Sequence, residues 1–348
     1  MVASLQTLLG TQLPIIQAPM AGAQGSALAI AVCQAGALGS LPGAMLTNDS
    51  LRSELAAIRT ETDRPFNLNF FCHVPPAPDA GLESAWRAAL APYYREFGLN
   101  VAEVPAAPAR AAFGIEALEV LEAFRPPVVS FHFGLPSAPL LARVRAWGAK
   151  LLASATTVEE ALWLEARGVD AVIAQGLEAG GHRGHFLSDD LTRQMGTAAL
   201  VPQLVRAVRV PVIAAGGVSD ARGVAAALAL GAAGVQVGTA YLFCPESGTS
   251  AVHRAALGSE AARHTALTNL FTGRPARGIV NRLMRELGPI GGGLPAFPLA
   301  AAAIAPLRGH AERAGSGDFS PLWSGQNARL CRAVPAQQLT NELAQGLA

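Results

Sequence analysis

The sequence predicts a closed (β/α)8 barrel, a TIM barrel, carrying a helical insertion and a mainly helical C-terminal extension. Three observations predict it. Eight short apolar runs, each ended by Gly, Pro or a polar residue, punctuate the first two thirds of the chain. Helix-like stretches separate them, which implies parallel pairing through right-handed crossovers. Runs such as AVIAQ and PVIAA are apolar without alternation, as expected of strands covered on both faces.

In chain order the runs occupy residues 14–17, 37–40, 66–71, 128–133, 150–155, 171–175, 212–215 and 234–237. Eight is the number that closes such a barrel. Helix signals agree with this spacing. Thr156 or Thr157 precedes Glu159 and Glu160 in the first turn of a helix over 157–167, and Ser219-Asp220 opens a helix over 220–230 that ends at Gly231. Two segments exceed a minimal barrel. Residues 75–127, rich in Pro and Ala, read as an insertion with two helices, and the stretch after residue 246 reads as mainly helical with a break at GPIGGGLPAFP. The expected organisation is a barrel over 1–245, a helical extension over 246–314 covering the active end, and a segment 315–348 returning to the barrel.

Composition narrows the partners. The 348 residues carry a net charge of +1 and only 15% charged residues, so a mainly electrostatic grip on nucleic acid or an anionic membrane is not expected. No apolar run approaches the roughly 20 residues of a transmembrane helix, and the first residues lack the basic start of a signal peptide; a cytoplasmic protein is expected. Cys33, Cys72, Cys244 and Cys331 are far apart, which points to buried thiols rather than to a zinc site or disulfides. The sequence leaves monomer and homodimer open.

In this architecture chemistry sits at the carboxyl ends of the strands. The first strand ends in QAPM, Gln17 to Met20, and the third includes Asn69. The fourth ends in SFHFGLP with His132, and the sixth runs into QGLEAGGHRGH with Gln175, Gly180, Gly181 and His182 at its exit. Two histidines therefore converge on one face. Gly216-Gly217 and Gly238-Thr239 open the loops after the last two strands, where this fold commonly holds phosphate on backbone amides. Each residue also has a plainer reading. His132 reads as a core imidazole or a substrate contact, Glu178 as a catalytic acid or the partner of a rim arginine, and Met20 as packing or the neighbour of a planar ring. His182 and His185 stand at i, i+3, but no cysteine accompanies them, and no metal is expected.

The segments PIIQAPMAG, FNLNFF, SFHFGLP, VIAQGLEAGGHRG, VIAAGGVSD and GVQVGTAYLFCPES, with the late DFSPLWSGQ, resemble the FMN-dependent nitronate monooxygenases of class I type, formerly called 2-nitropropane dioxygenases. The resemblance spans nearly the whole chain. It implies non-covalent FMN and the oxidation of alkyl nitronates, such as propionate 3-nitronate, by O2 through a flavin semiquinone to a carbonyl product and nitrite or nitrate, a detoxification. It implies FMN contacts from Ala18, Met20, Asn69, Gln175, Gly180, Gly181, Ala215, Gly216, Gly217, Gln236, Gly238 and Thr239, with Trp323, Gly325 and Gln326 returning to the flavin edge. Met20, His132, His182 and Phe297 would line the substrate pocket, with His132 and His182 catalytic and His182 matching the family's base for neutral nitroalkanes.

One departure stands out. Several members close this pocket with late tyrosines, whereas this chain has GGGLPAFPLAAAA with Phe297; its tyrosines are Tyr93, Tyr94 and Tyr241. A smaller or less polar nitronate is thereby implied. The alternative is an FMN-dependent NAD(P)H reductase of the enoyl-acyl-carrier-protein or quinone reductase type, which resembles the chain at QAPM, EAGGH, AAGG and VQVGT. The histidine of SFHFGLP separates the two patterns. A phosphate-binding isomerase or aldolase would need a lysine or carboxylate at the strand ends, and a scaffold has no use for such a mouth.

Overall fold

The computed structural model describes residues 4–104 and 111–347; residues 105–110 of the expected insertion, with 1–3 and 348 at the ends, lie outside the described residues. Eleven strands appear in order: β1 (Ile15–Gln17), β2 (Gly39–Pro42), β3 (Phe66–Phe71), β4 (Val128–His132), β5 (Lys150–Ala155), β6 (Ala171–Gln175), β7 (Gly181–His182), β8 (Val212–Ala215), β9 (Gly234–Val237), β10 (Thr265–Thr268) and β11 (Ala276–Ile279). All but β7, β10 and β11 form one parallel sheet in the order β1-β9-β8-β6-β5-β4-β3-β2. The ring closes where Ile16 bridges Leu38, with Gln17 N donating to Leu38 O at 2.9 Å and Leu38 N to Ile15 O at 2.9 Å. The protein is a (β/α)8 barrel.

Three strand boundaries differ from expectation, the first strand being 15–17 rather than 14–17 because Pro14 has no N–H to give the ladder. The second strand is 39–42 rather than 37–40, because Gly36 takes φ +89° and the chain enters the ladder only after it has turned. The fourth stops at His132, since Phe133 adopts φ +69°, a left-handed conformation that no strand accommodates. The remaining runs at 66–71, 150–155, 171–175, 212–215 and 234–237 coincide with strands.

The barrel interior is apolar at its amino end. Leu5 and Leu9 of the short helix Leu5–Leu9 bury against Ile16, Leu38, Val128, Leu152, Ile173 and Ile213, plugging that end. Five residues do not hold a helix on their own; burial of two leucines, worth roughly 1.5–3 kcal/mol each, holds this one.

Two expectations about the additions change. Of the helices in 75–127, Ile115–Phe124 packs beside its barrel neighbours and serves as the crossover from β3 to β4. Among the described residues the extra helix is Ala80–Glu96, and it docks on the helix Ala301–Arg313, with Trp86 Nε1 donating to Ala300 O at 3.1 Å and Tyr94 OH to Ala303 O at 2.7 Å. The extension, expected to be mainly helical, also contains the antiparallel hairpin β10–β11, and β11 pairs with β7 so that Ala276 faces His182. Among the described residues no helix is long and apolar enough to cross a membrane.

Candidate active site

His182 sits on a strand outside the barrel. The loop after β6 leaves as Gly176–Gly180 and returns as β7, which β11 holds by ladder bonds, so the extension fixes the backbone of His182. Its carbonyl oxygen accepts from Gln175 Nε2 at 2.9 Å and from His132 Nε2 at 3.2 Å. Gln175 Oε1 in turn accepts from Gly184 N at 2.7 Å. On the ring side, Nε2 of His182 lies 2.9 Å from Thr272 Oγ1, on the turn between β10 and β11. The backbone and the imidazole are thus oriented by groups from three different segments.

His132, expected as a second pocket histidine, has protein partners at both ring nitrogens. A carbonyl oxygen only accepts, so His132 carries its proton on Nε2, and Nδ1 accepts from Ser154 Oγ at 3.0 Å. Both ring nitrogens are therefore engaged within the protein. Burial pushes its pKa down to about 3, and the Arg274 and Arg183 cations add to that, while the His182 carbonyl opposes it. His132 is a neutral positioning group. Gly184 makes room for it, because a Cβ there would stand 2.7 Å from His132 Cε1.

A carboxylate holds the far end of the histidine loop. Glu160, 1% exposed, accepts from Thr156 N and Thr156 Oγ1 at 2.7 and 2.8 Å and from Phe186 N and Leu187 N at 2.6 and 3.3 Å. Neither expected role of Glu178 is seen. Its carboxylate accepts from Thr197 N at 2.8 Å and Thr197 Oγ1 at 2.7 Å, capping the helix Thr197–Ala207, where backbone donors lack intrahelical partners. His185 does not join His182: it is buried, pushed down to about 4 by burial, and lies 3.5 Å from Asp189. Among the described residues no group of three His, Cys, Asp or Glu side chains could hold a metal ion.

Aromatic rings surround the histidine. Phe297 lies 5.2 Å from His182 between ring centroids, Trp323 5.4 Å, Phe133 6.1 Å and Phe71 6.4 Å. Phe71, Phe133 and Phe297 form one buried cluster with Ala44, against which Ala21 packs. The turn at Phe133 aims its ring back over His132 at 4.5 Å. Phe297 is held there because its loop is tied at Gly291, which exchanges bonds of 2.8 and 2.9 Å with the Asn269 side chain.

The remaining expected contact residues also gather at the carboxyl ends of the barrel strands. Ala18 and Met20 follow β1, Asn69 lies on β3 with Nδ2 donating to Ser130 Oγ at 2.9 Å, and Ala215, Gly216 and Gly217 end β8. Gln236 lies on β9 with Gly238 and Thr239 following, and Gln236 Oε1 is buried without a protein hydrogen-bond partner. The late segment closes over these loops. Gly325 N donates to Thr239 Oγ1 at 2.9 Å, Gln326 N to Glu178 O at 3.0 Å and Asn327 Nδ2 to Gly217 O at 2.6 Å. The approach is close enough that a Cβ on Gly180 would stand 2.5 Å from Gly325 N, and one on Gly216 would stand 2.8 Å from Thr197 Oγ1. A buried amide oxygen awaiting a donor, glycine-lined loops and a nearby tryptophan fit a planar cofactor with a phosphate tail.

Comparison with known proteins follows from this geometry. The family model described as nitronate monooxygenase matches residues 3–346. The chain belongs to the nitronate monooxygenase family. A nitronate monooxygenase of Paraburkholderia phytofirmans is 43% identical over 349 residues, covering 98% of this chain and 93% of that one. The solved structure of nitroalkane oxidase from Streptomyces ansochromogenes superposes with a TM-score of 0.90 at 41% identity, over 99% of this chain and 98% of that one. FabK from Thermotoga maritima superposes with a TM-score of 0.72 at 28% identity, over 99% of this chain and 96% of that one. Thr272, Glu160 and Arg274 of this family member were not anticipated from sequence. The Gly-Arg-Pro of FTGRP is the one local turn signal between Thr272 and β11, and Glu160 read as an ordinary first-turn acid.

Proposed function

We propose that this chain is an FMN-dependent nitronate monooxygenase, oxidising alkyl nitronates with O2 to a carbonyl compound and nitrite or nitrate. The observation that carries the reading is the placing of His182: ringed by Phe71, Phe133, Phe297 and Trp323, the last on the late segment that closes over the glycine loops. The likeness to the Streptomyces nitroalkane oxidase supports it and favours it over a reductase.

Gly216, Gly217, Gly238 and Thr239 would hold the phosphate on backbone amides, Gln236 and Gln175 would meet polar edges of the ring system, and Met20 and Trp323 would flank it. Bound there, FMN supplies the electron-accepting and oxygen-reacting chemistry. The chain's own residues do the rest. The aromatic wall excludes water, which strengthens every polar contact inside. His182 takes the α-proton of a neutral nitroalkane; with a nitronate, already an anion, it orients the nitro oxygens instead. Gln175 and the neutral His132 fix the backbone from which that imidazole projects.

The test is a purified preparation. A yellow protein that releases FMN on denaturation and consumes O2 with a nitronate in the absence of NADH is the expected result. Rapid anaerobic NADH oxidation without nitronate-dependent O2 uptake would transfer the protein to the reductases, and a colourless protein that FMN cannot reconstitute would end both readings.

A further inference from the structure

Three arginines, Arg183 and Arg277 buried and Arg274 half-buried, grip the segment that carries His182. Arg183, fully buried, donates at 2.7 Å to Gln175 O, Gly176 O and Gln194 Oε1. Arg277 donates to Leu177 O at 2.7 Å, and Arg274 donates to His185 O. All these acceptors are neutral. Among the described residues none of the three guanidiniums has a carboxylate within ion-pair distance. The acids nearby are otherwise engaged: Glu160 and Glu178 accept from backbone amides and threonine hydroxyls, and Asp189 is fully exposed beside His185.

Arg274 is the one of the three that stands against the pocket wall. Its guanidinium lies 4.2 Å from the centre of the Phe133 ring, whose other neighbours are His132 at 4.5 Å, Phe297 at 5.5 Å and His182 at 6.1 Å. Its Nε is buried with no hydrogen-bond partner. It follows by two residues Thr272, which touches the His182 ring. Arg274 has only the more distant Asp189 and Glu160 carboxylates as counter-charges and lacks one of its hydrogen bonds, so an anion received nearby would stabilise it further. His182 is a second neighbour of the same ring, so an anion held by its imidazole would feel the Arg274 charge.

We propose that Arg274 is a specificity-determining residue: acting across the Phe133 ring, its charge makes the mouth select the anionic nitronate over the neutral nitroalkane of the same carbon skeleton. The inference rests on the nitronate reading above. Arg274 touches neither reactant; it sets the potential in which His182 and the bound nitro group sit. The neutral state of His132, one ring away, is due first to burial, and the Arg274 charge adds to it.

The experiment uses the FMN-loaded protein with Arg274→Met, which keeps the apolar stem, and Arg274→Lys, which keeps the charge but not the fork. Two quantities are read. One is the Kd of inorganic nitrate, a planar anion shaped like the nitronate group, by titration calorimetry; the other is the ratio of kcat/KM for a nitronate to that for its parent nitroalkane. In Arg274→Met, nitrate affinity and the ratio each fall on the order of tenfold, as expected for a unit charge one ring away in a partly desolvated mouth, with the loss in the nitronate KM. Arg274→Lys stays within about threefold of the parent on both. Equal nitrate affinity in parent and Arg274→Met, including no binding by either, overturns the proposal. An equal fall in Arg274→Lys overturns it as well, because the role is then the bond to His185. Absence of all nitronate turnover in the parent overturns the functional reading instead, and the nitrate titration still decides the charge.

Discussion

Replacing Glu160 by Gln isolates the device that holds the histidine loop. The carboxylate accepts four hydrogen bonds, two on each oxygen: Thr156 N and Oγ1 on one, Phe186 N and Leu187 N on the other. Glutamine offers one acceptor oxygen, so an NH2 must face two donors. Losing two charge-assisted bonds at a buried site costs about 3–5 kcal/mol. At about 2.1 cal/mol/K of unfolding entropy per residue, 348 residues convert that to a Tm lower by about 4–7 °C. Differential scanning calorimetry of the parent and Glu160→Gln measures it. Glu159→Gln, on the same helical turn but exposed and paired with surface Arg193, is the control and shifts Tm by less than about 1 °C. Because Phe186 and Leu187 end the loop that begins at His182, kcat on nitronates falls with stability. If Glu160→Gln shifts Tm no further than the control, the carboxylate is not the anchor inferred from its four contacts.

Three further outcomes follow from the same site. His182→Asn abolishes turnover of neutral nitroalkanes while relatively sparing nitronates, measured as O2 uptake with each; equal loss on both argues against a base. Gly184→Ala forces a methyl to 2.7 Å from His132 Cε1, costing about 1–3 kcal/mol and lowering kcat, and denaturant midpoints with steady-state rates report both effects. His132 and His185 stay neutral when folded, at about 3 and about 4 against about 6.5 unfolded, so the stability they contribute is present above pH 6.5 and is lost as pH falls below it. The slope is about 1.4 kcal/mol per pH unit for each, down to about pH 4, and a urea midpoint unchanged between pH 7 and 5 contradicts it.

The barrel was legible because its signals are local. Continuous apolar strands, threonine and aspartate caps and terminal glycines agree along most of the chain, and Thr157 and Asp220 do cap their helices. The histidines and glycine loops were legible because the fold fixes where strand ends face. What escaped depends on pairing across distance. No periodicity near TALT or ARGI announces a hairpin, since each strand is only four residues long and gains its place by pairing with the other and with Gly181-His182. Nor does the pattern around Glu178 reveal that a helix 19 residues later will claim its carboxylate.

The contacts of Gly325, Gln326 and Asn327 with the loops after β6, β8 and β9 make the mouth a late product of synthesis. All eight barrel strands precede residue 238, but the helix Ala336–Ala344, which buries Ala336, Leu339 and Leu343 in the barrel core against the helices that follow β1 and β8, is made after the piece that closes the glycine loops. Completion of the scaffold and assembly of its reactive end therefore depend on the same late segment. Loss of that segment would open the glycine loops and uncover the barrel core together.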